Sequence, residues 1–185
     1  MIRITSGIFR GRRVFTGGAL KARPPVSIIR ESVFNILRSY ISISGISVCD
    51  IFCGSGSMSF EALSRGAARA CLVDINATNI RLVHRTAVTL GVDKLLSTFC
   101  CDVQKLSWAE NKHDLAFVDP PYDKPGLIDV SLRALMESGW CGADSIVVLR
   151  VRRGEQVSLP EAYSLLDKRS YCSSDVLFLK VIENI

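Results

Sequence analysis

No stretch of the sequence reaches the roughly 18 consecutive apolar residues expected of a membrane-spanning helix. The N-terminus also lacks a secretory pattern, because Arg3, Arg10, Arg12 and Arg13 interrupt any apolar run long enough to serve as one. Histidine is scarce, with His84 and His113 alone, and no second cysteine pair follows Cys49 and Cys53 to complete a zinc-binding set. The seven cysteines are an odd number, and most fall in apolar runs where a thiol packs as a small hydrophobe. These absences predict a cytoplasmic protein with no metal and no membrane partner; a monomer is the expected state, although none of them bears on it. Internal repeats and low-complexity linkers are also missing.

What is present describes one globular core. Hydrophobic residues make up 48% and charged residues 22% of 185 positions, which excludes a disordered or fibrous chain. The net charge of +5 is unevenly placed: residues 1–45 hold eight Lys and Arg against Glu31 alone, a balance of +7 that leaves −2 for the rest. A concentrated cationic stretch suits a polyanionic partner, because each neutralised phosphate releases counterions. A merely solvated basic face is the plain alternative. Residues 1–45 are therefore read as a basic extension and residues 46–185 as the main domain.

Short strands over Arg3–Ser6 and Arg12–Thr16 predict a hairpin, and Ser27 is the expected cap of a helix carrying Ile29, Val33, Ile36 and Tyr40 on one face. Arg30, Glu31 and Arg38 lie on the other face in this reading. From Ile46 onward, strands alternate with helices, which predicts a mostly parallel, Rossmann-like α/β sheet covered on both faces. Asn76 is the expected cap and Gly91 the stop of one of those helices. Tyr163–Tyr171 and Val176–Ile182 lie too close together for a crossover, so the chain should end in an antiparallel hairpin.

Three motifs carry chemistry. Asp50-Ile-Phe52-Cys-Gly54-Ser55-Gly56 runs from a strand through a glycine-rich loop into a helix, where backbone can approach a ligand closely. It lacks the third glycine of the dinucleotide fingerprint, since Ser59 stands there, and the acid before the glycines suits an ammonium group rather than a pyrophosphate. A tight structural turn would use the same residues. Asp74 ends the next strand, 24 residues after Asp50, where a carboxylate can accept both hydroxyls of a ribose or simply cap the next helix. Asp102 ends the third strand and suits an adenine edge or a solvated loop.

The third motif, Asp119-Pro120-Pro121-Tyr122, follows the apolar strand His113–Val118. Two prolines exclude both helix and ladder, so the Asp119 carboxylate and Pro120 carbonyl are held at the strand's carboxyl end. Two acceptors match the two hydrogens of an amino group. Tyr122 adds a flat surface on which a base can stack.

Asp50-Ile-Phe-Cys-Gly-Ser-Gly, Glu61-Ala-Leu-Ser-Arg-Gly-Ala and Asp119-Pro-Pro-Tyr together resemble the class I methyltransferases of the RsmD family, the bacterial 16S rRNA guanine(966)-N2 methyltransferases. Arg3-Ile-Thr-Ser-Gly-Ile-Phe-Arg-Gly-Arg-Arg and Arg30-Glu-Ser-Val-Phe-Asn-Ile-Leu extend the similarity over nearly the whole chain. The resemblance implies a seven-stranded sheet with its last strand reversed and S-adenosylmethionine as cofactor. It implies Asp50, Phe52 and Gly54 to Gly56 at the methionine end, Asp74 at the ribose, and Asp102 with Val103 at the adenine. Asp119 to Tyr122 would be catalytic, and Arg10, Arg12, Arg13, Arg23 and Arg30 would contact ribosomal RNA, free or in a small ribosomal subunit.

Three departures stand out. Pro25-Val-Ser-Ile replaces a usually polar segment, Arg150 stands where an acid is expected, and Cys172 replaces a glycine after Tyr171. A DNA amino-methyltransferase is the main enzymatic rival, although the chain is short for a separate DNA-reading domain. The missing third glycine and the paired prolines disfavour a nucleotide-dependent dehydrogenase. The intact Asp119 to Tyr122 motif disfavours a non-catalytic RNA-binding module.

Overall fold

The apolar runs of the central chain form a seven-stranded sheet in a computed structural model that describes residues 2–17, 26–124 and 126–182. In chain order the elements are β1 (Ile2–Arg3), β2 (Arg13–Val14), α1 (Val26–Leu37), β3 (Ser47–Ile51), α2 (Ser57–Ser64), β4 (Arg69–Val73) and α3 (Ala77–Leu90). After these come β5 (Leu96–Phe99), β6 (Leu115–Val118), α4 (Gly126–Glu137), β7 (Ile146–Arg152), β8 (Tyr163–Ser170) and β9 (Ser174–Val181). The large sheet has the order β5-β4-β3-β6-β7-β9-β8. Strands β3 to β7 pair in parallel, and β9 runs antiparallel to both β7 and β8. The expected parallel sheet with a reversed last strand is therefore present.

Alternation along each strand sends side chains to two separate cores. Val48, Leu72, Phe117 and Val148 pack with residues of α1, α2 and α3 on one face. Cys49, Ile51, Val118 and Leu149 pack with α4 and Trp140 on the other. After β5 the chain crosses back to place β6 on the far side of β3, so the strand order reverses between β3 and β6. In open α/β sheets the crevice at the carboxyl ends of two such strands is where ligands bind.

The N-terminal hairpin is shorter than its sequence predicts. Thr5 and Ser6 turn their N–H groups to Glu61 of α2, and Phe15 donates to Thr86 of α3, so these positions leave the ladder. Gly7 adopts φ +81 so close to α2 that a Cβ would stand 1.8 Å from the Ser64 carbonyl oxygen. Ile4, Val14, Ile29 and Phe34 share one apolar cluster with Val48 and Phe60. The boundary drawn at residue 45 thus separates stretches of unlike charge that pack on a common core.

Helix α1 departs from its expected limits. It already includes Val26, so Ser27 lies inside it, and it ends at Leu37, before Tyr40. Asn76 does cap α3 by accepting from Thr78 N–H, and Gly91 closes the helix at φ 71. Among the described residues no helix is long and apolar enough to cross a membrane.

Candidate active site

Two cavities open at the carboxyl ends of β3 and β6, and Phe52 lines both. The first, of about 210 Å³, is lined by Phe52, Asp74, Asp102, Val103 and Pro121 among others. The second, of about 80 Å³, lies on the α1 side of the sheet and is lined by Arg30, Asp50, Phe52, Asp119 and Arg150 among others. The residues expected to hold one cofactor are therefore divided, with Asp50 on one side of the strand ends and the two other acids on the opposite side. A further cavity, about 430 Å³ beside Phe99, Trp108 and His113, shares no residue with these two.

The loop after β3 has the backbone that its glycines predict. Gly54 and Gly56 have φ 55 and φ 71, and Phe52 between strand and glycines also lies in the left-handed region at φ 65. That conformation is costly for a bulky side chain and persists only where the surroundings impose it. Gly56 begins α2, where a Cβ would stand 2.7 Å from Leu72 Cδ2. Only glycine accommodates both the angle and the contact. Ser55 lies between them, half-buried.

Asp74 holds this loop in shape. It accepts hydrogen bonds from Gly54 N–H (2.8 Å), Asn76 N–H (2.8 Å) and Asn79 Nδ2 (3.0 Å). The cap of α3 is Asn76, so Asp74 instead ties the glycine loop to the start of that helix while standing on the cavity wall. Asp102 similarly accepts from Gln104 N–H at 3.0 Å, at the start of a short turn that buries Val103.

Asp50 is only 4% exposed and accepts from Ser59 Oγ at 2.9 Å. Burial pushes its carboxyl up to about 7; the Ser59 hydrogen bond opposes the rise and the negative charge of Asp119 adds to it. A buried carboxyl of this kind gains most from a cationic ligand, which restores its charged form.

The Asp119 to Tyr122 segment leaves the end of β6, with Asp119 on the wall of the small cavity and Pro121 on that of the larger one. Pro120 is buried beneath them, and Tyr122 borders a shallow pocket with Arg152 and Arg153. Arg150 of β7 donates from Nη1 to Asp119 Oδ2 at 3.2 Å, and its Cζ stands 6.0 Å from the centre of the Tyr122 ring. Sequence reasoning noted Arg150 as a departure but did not assign it to the site. The signal was one charge inside Ile-Val-Val-Leu-Arg-Val, a strand buried on both faces.

Arg30, expected to contact RNA, needs correction. It stands three, four and seven residues before Val33, Phe34 and Leu37, on the buried face of α1, and is 1% exposed. Its Nε donates to Glu61 Oε2 at 3.1 Å and its Nη2 to the Arg3 carbonyl, so it fastens α1 to α2 and β1 and is turned away from solvent. Glu61, fully buried, also accepts from Thr5, Ser6 and Arg65. Burial raises the Glu61 carboxyl, but hydrogen bonds from Thr5 and Arg65 outweigh it and leave it below the usual range. Arg10, Arg12 and Arg13 are exposed on the hairpin; Arg13 and Arg85 of α3 both lie over the Phe15 ring, at 5.4 and 4.2 Å. Arg23 lies outside the described residues.

Comparison with known proteins fits this geometry. Residues 2–180 match a family model described as "Conserved hypothetical protein 95". The chain is 27% identical to ribosomal RNA small subunit methyltransferase D of Haemophilus influenzae, covering 91% of this chain and 88% of that protein. It is 30% identical to the protein of the same name from Escherichia coli strain K12, over 79% of this chain and 72% of the other. A solved structure described as putative methyltransferase yhhF from Escherichia coli superimposes with a TM-score of 0.86 at 23% identity, covering 99% of both chains. With its switch-point cavities and Asp-Pro-Pro-Tyr segment carried on a match along almost its whole length, the chain belongs to the RsmD family of methyltransferases.

Proposed function

We propose that the protein transfers a methyl group from S-adenosylmethionine to the exocyclic N2 amine of a guanine in 16S ribosomal RNA. The carrying observation is that Asp119 and Pro121, two residues apart in a proline-locked segment, border separate cavities. A methyl donor reaching across the strand ends from the larger cavity to Asp50 and an acceptor base at Asp119 would meet at that segment. The relatives named as ribosomal RNA small subunit methyltransferases support RNA as the substrate class.

The residues present suit the cofactor. Asp74 and Asp102 bring acceptors for hydroxyl and amino groups to the larger cavity, and Phe52 and Val103 bring apolar surface. Asp50, buried and with its carboxyl raised to about 7, suits the ammonium of the methionine end. When bound, S-adenosylmethionine supplies an electrophilic methyl group on a sulfonium.

The protein's part is to prepare the nitrogen. A guanine amine is a weak nucleophile because its lone pair is delocalised into the ring. Asp119 and the Pro120 carbonyl accept its two N–H groups, which localises the pair and aims it at the methyl carbon. Held by Asp50, Phe52, Asp74 and Asp102, S-adenosylmethionine would supply the methyl group for the new N–C bond, and the electron pair of its S–C bond would leave with the neutral thioether. The nitrogen turns acidic only as that happens, and its proton passes to Asp119 or to water. Tyr122 stacks on the base and offsets part of the cost of leaving its helix.

The direct test incubates the protein with labelled S-adenosylmethionine and ribosomal RNA, small subunits or DNA, then identifies the product nucleoside by mass spectrometry. N2-methylguanosine in 16S RNA is expected. Methyladenine in DNA would overturn the choice of substrate.

A further inference from the structure

Burying a guanidinium is costly unless its N–H groups are paired. Arg150 is 9% exposed, yet only Nη1 has a partner among the described residues, the Asp119 carboxylate at 3.2 Å. Its Nε and Nη2 are buried without one. On the sheet it is flanked by Leu149 and Val151 along β7 and faces Val176 across the ladder to β9, none of which offers a side-chain acceptor. Among the described residues, the acidic side chains lining its cavity are Asp50 and Asp119. Two donors are thus held in the wall of the small cavity, beside the carboxylate proposed to hold the reacting amine.

We infer that Arg150 reads the target base by donating to the ring nitrogen beside the methylated amine, which on guanine is N3. The inference rests on the proposed guanine reading and adds the orientation of the base to it. Asp119 accepts one amine hydrogen, so a guanidinium bonded to that same carboxylate meets the next position along the base edge. On guanine the amine is flanked by N1–H, a donor, and by N3, an acceptor. Guanidinium offers only donors, so it opposes N1–H and pairs with N3. The N3 edge then faces β7 and the N1 edge faces away from it. Adenine presents acceptors on both sides of its amine, so the arginine fixes the orientation of guanine rather than excluding adenine.

The test replaces N3 by carbon. A 16S RNA segment carries guanosine or 3-deazaguanosine at its methylated position, and kcat/KM is measured for the wild-type chain, Arg150→Met and Arg150→Lys. Losing one hydrogen bond to a charged donor should cost the wild type roughly 10- to 100-fold on the deaza substrate. Arg150→Met should be slow on guanosine and lose little more on 3-deazaguanosine, while its affinity for S-adenosylmethionine stays close to that of the wild type. Arg150→Lys, which keeps the charge but not the fork of donors, should show a smaller deaza penalty than the wild type. An equal penalty in wild type and variants would overturn the inference and leave Arg150 only as a support for Asp119. No methylation of guanosine by the wild type would instead sink the guanine reading itself.

Discussion

A carboxyl group with its pKa near 7 is half-protonated at neutral pH, and burial puts Asp50 in that state. The folded chain holds this proton over a pH range in which the unfolded chain, with its carboxyl near 3.8, has released it. Stability from Asp50 is therefore fully present below about pH 4 and declines as pH rises to about 7. Denaturant titrations of ligand-free protein at several pH values should show that decline, and Asp50→Asn should flatten it. His113 pulls the opposite way, because burial lowers its imidazole to about 4, so the difference between wild type and variant is the quantity to compare. Affinity for S-adenosylmethionine should rise with pH through 7, as its ammonium favours the ionised form. Asp119→Ala belongs to the same scale but reads chemistry: turnover should fall by roughly 100- to 1000-fold, with cofactor affinity changed much less. Turnover retained within a few-fold would remove Asp119 from the proposed role. Asp74 and Asp119 were legible because each ends an apolar run, and Asp50 because it precedes the glycine-rich loop. The place of Arg150 was not, since only folding brings β7 beside β6 and sets its guanidinium on Asp119.

Glu61 decides how the first three elements of the chain meet the sheet. Its carboxylate gathers hydrogen bonds from the hairpin, from α1 through Arg30 and from Arg65. Removing one member of a buried ion pair strands the other, which typically costs about 3 to 5 kcal/mol. Glu61→Ala should lose that much in denaturant unfolding, and an unchanged midpoint would show the network to be dispensable. The arrangement also explains where element boundaries escaped sequence reasoning. The apolar runs His113–Val118, Tyr163–Tyr171 and Val176–Ile182 located β6, β8 and β9 to within about two residues. The hairpin strands were overestimated because Thr5 and Ser6 have ordinary strand character but spend their N–H groups on a carboxylate 55 residues or more away. Arg30 was placed on the solvent face for a related reason. An arginine at core spacing reads as an interruption of the apolar stripe unless its buried partner is known.

For the molecule as a whole, charge is distributed to match the proposed division of labour. Arg10, Arg12 and Arg13 are exposed on the hairpin, outside both cavities at the strand ends. They should contribute RNA affinity and no chemistry. Neutralising Arg12 and Arg13 together should weaken RNA binding and reduce its dependence on salt, by a slope of about 0.7 per lost phosphate contact on single-stranded RNA. Cofactor affinity should stay the same. Identical salt slopes before and after would leave these arginines as a solubilising surface. The strand order has a consequence in time as well as in space. β3 finds its partner β6 only 67 residues later, with Val48 beside Leu115, and β9, the last strand of the sheet, slots between β7 and β8. Pairings so distant along the chain must close long loops before they gain contacts, which slows folding. During synthesis the basic arm is made before the crevice between β3 and β6, which has no second wall until the chain has grown past residue 118. If the proposed roles hold, a growing chain would carry its surface for a polyanion well before it has a place to carry out chemistry on one.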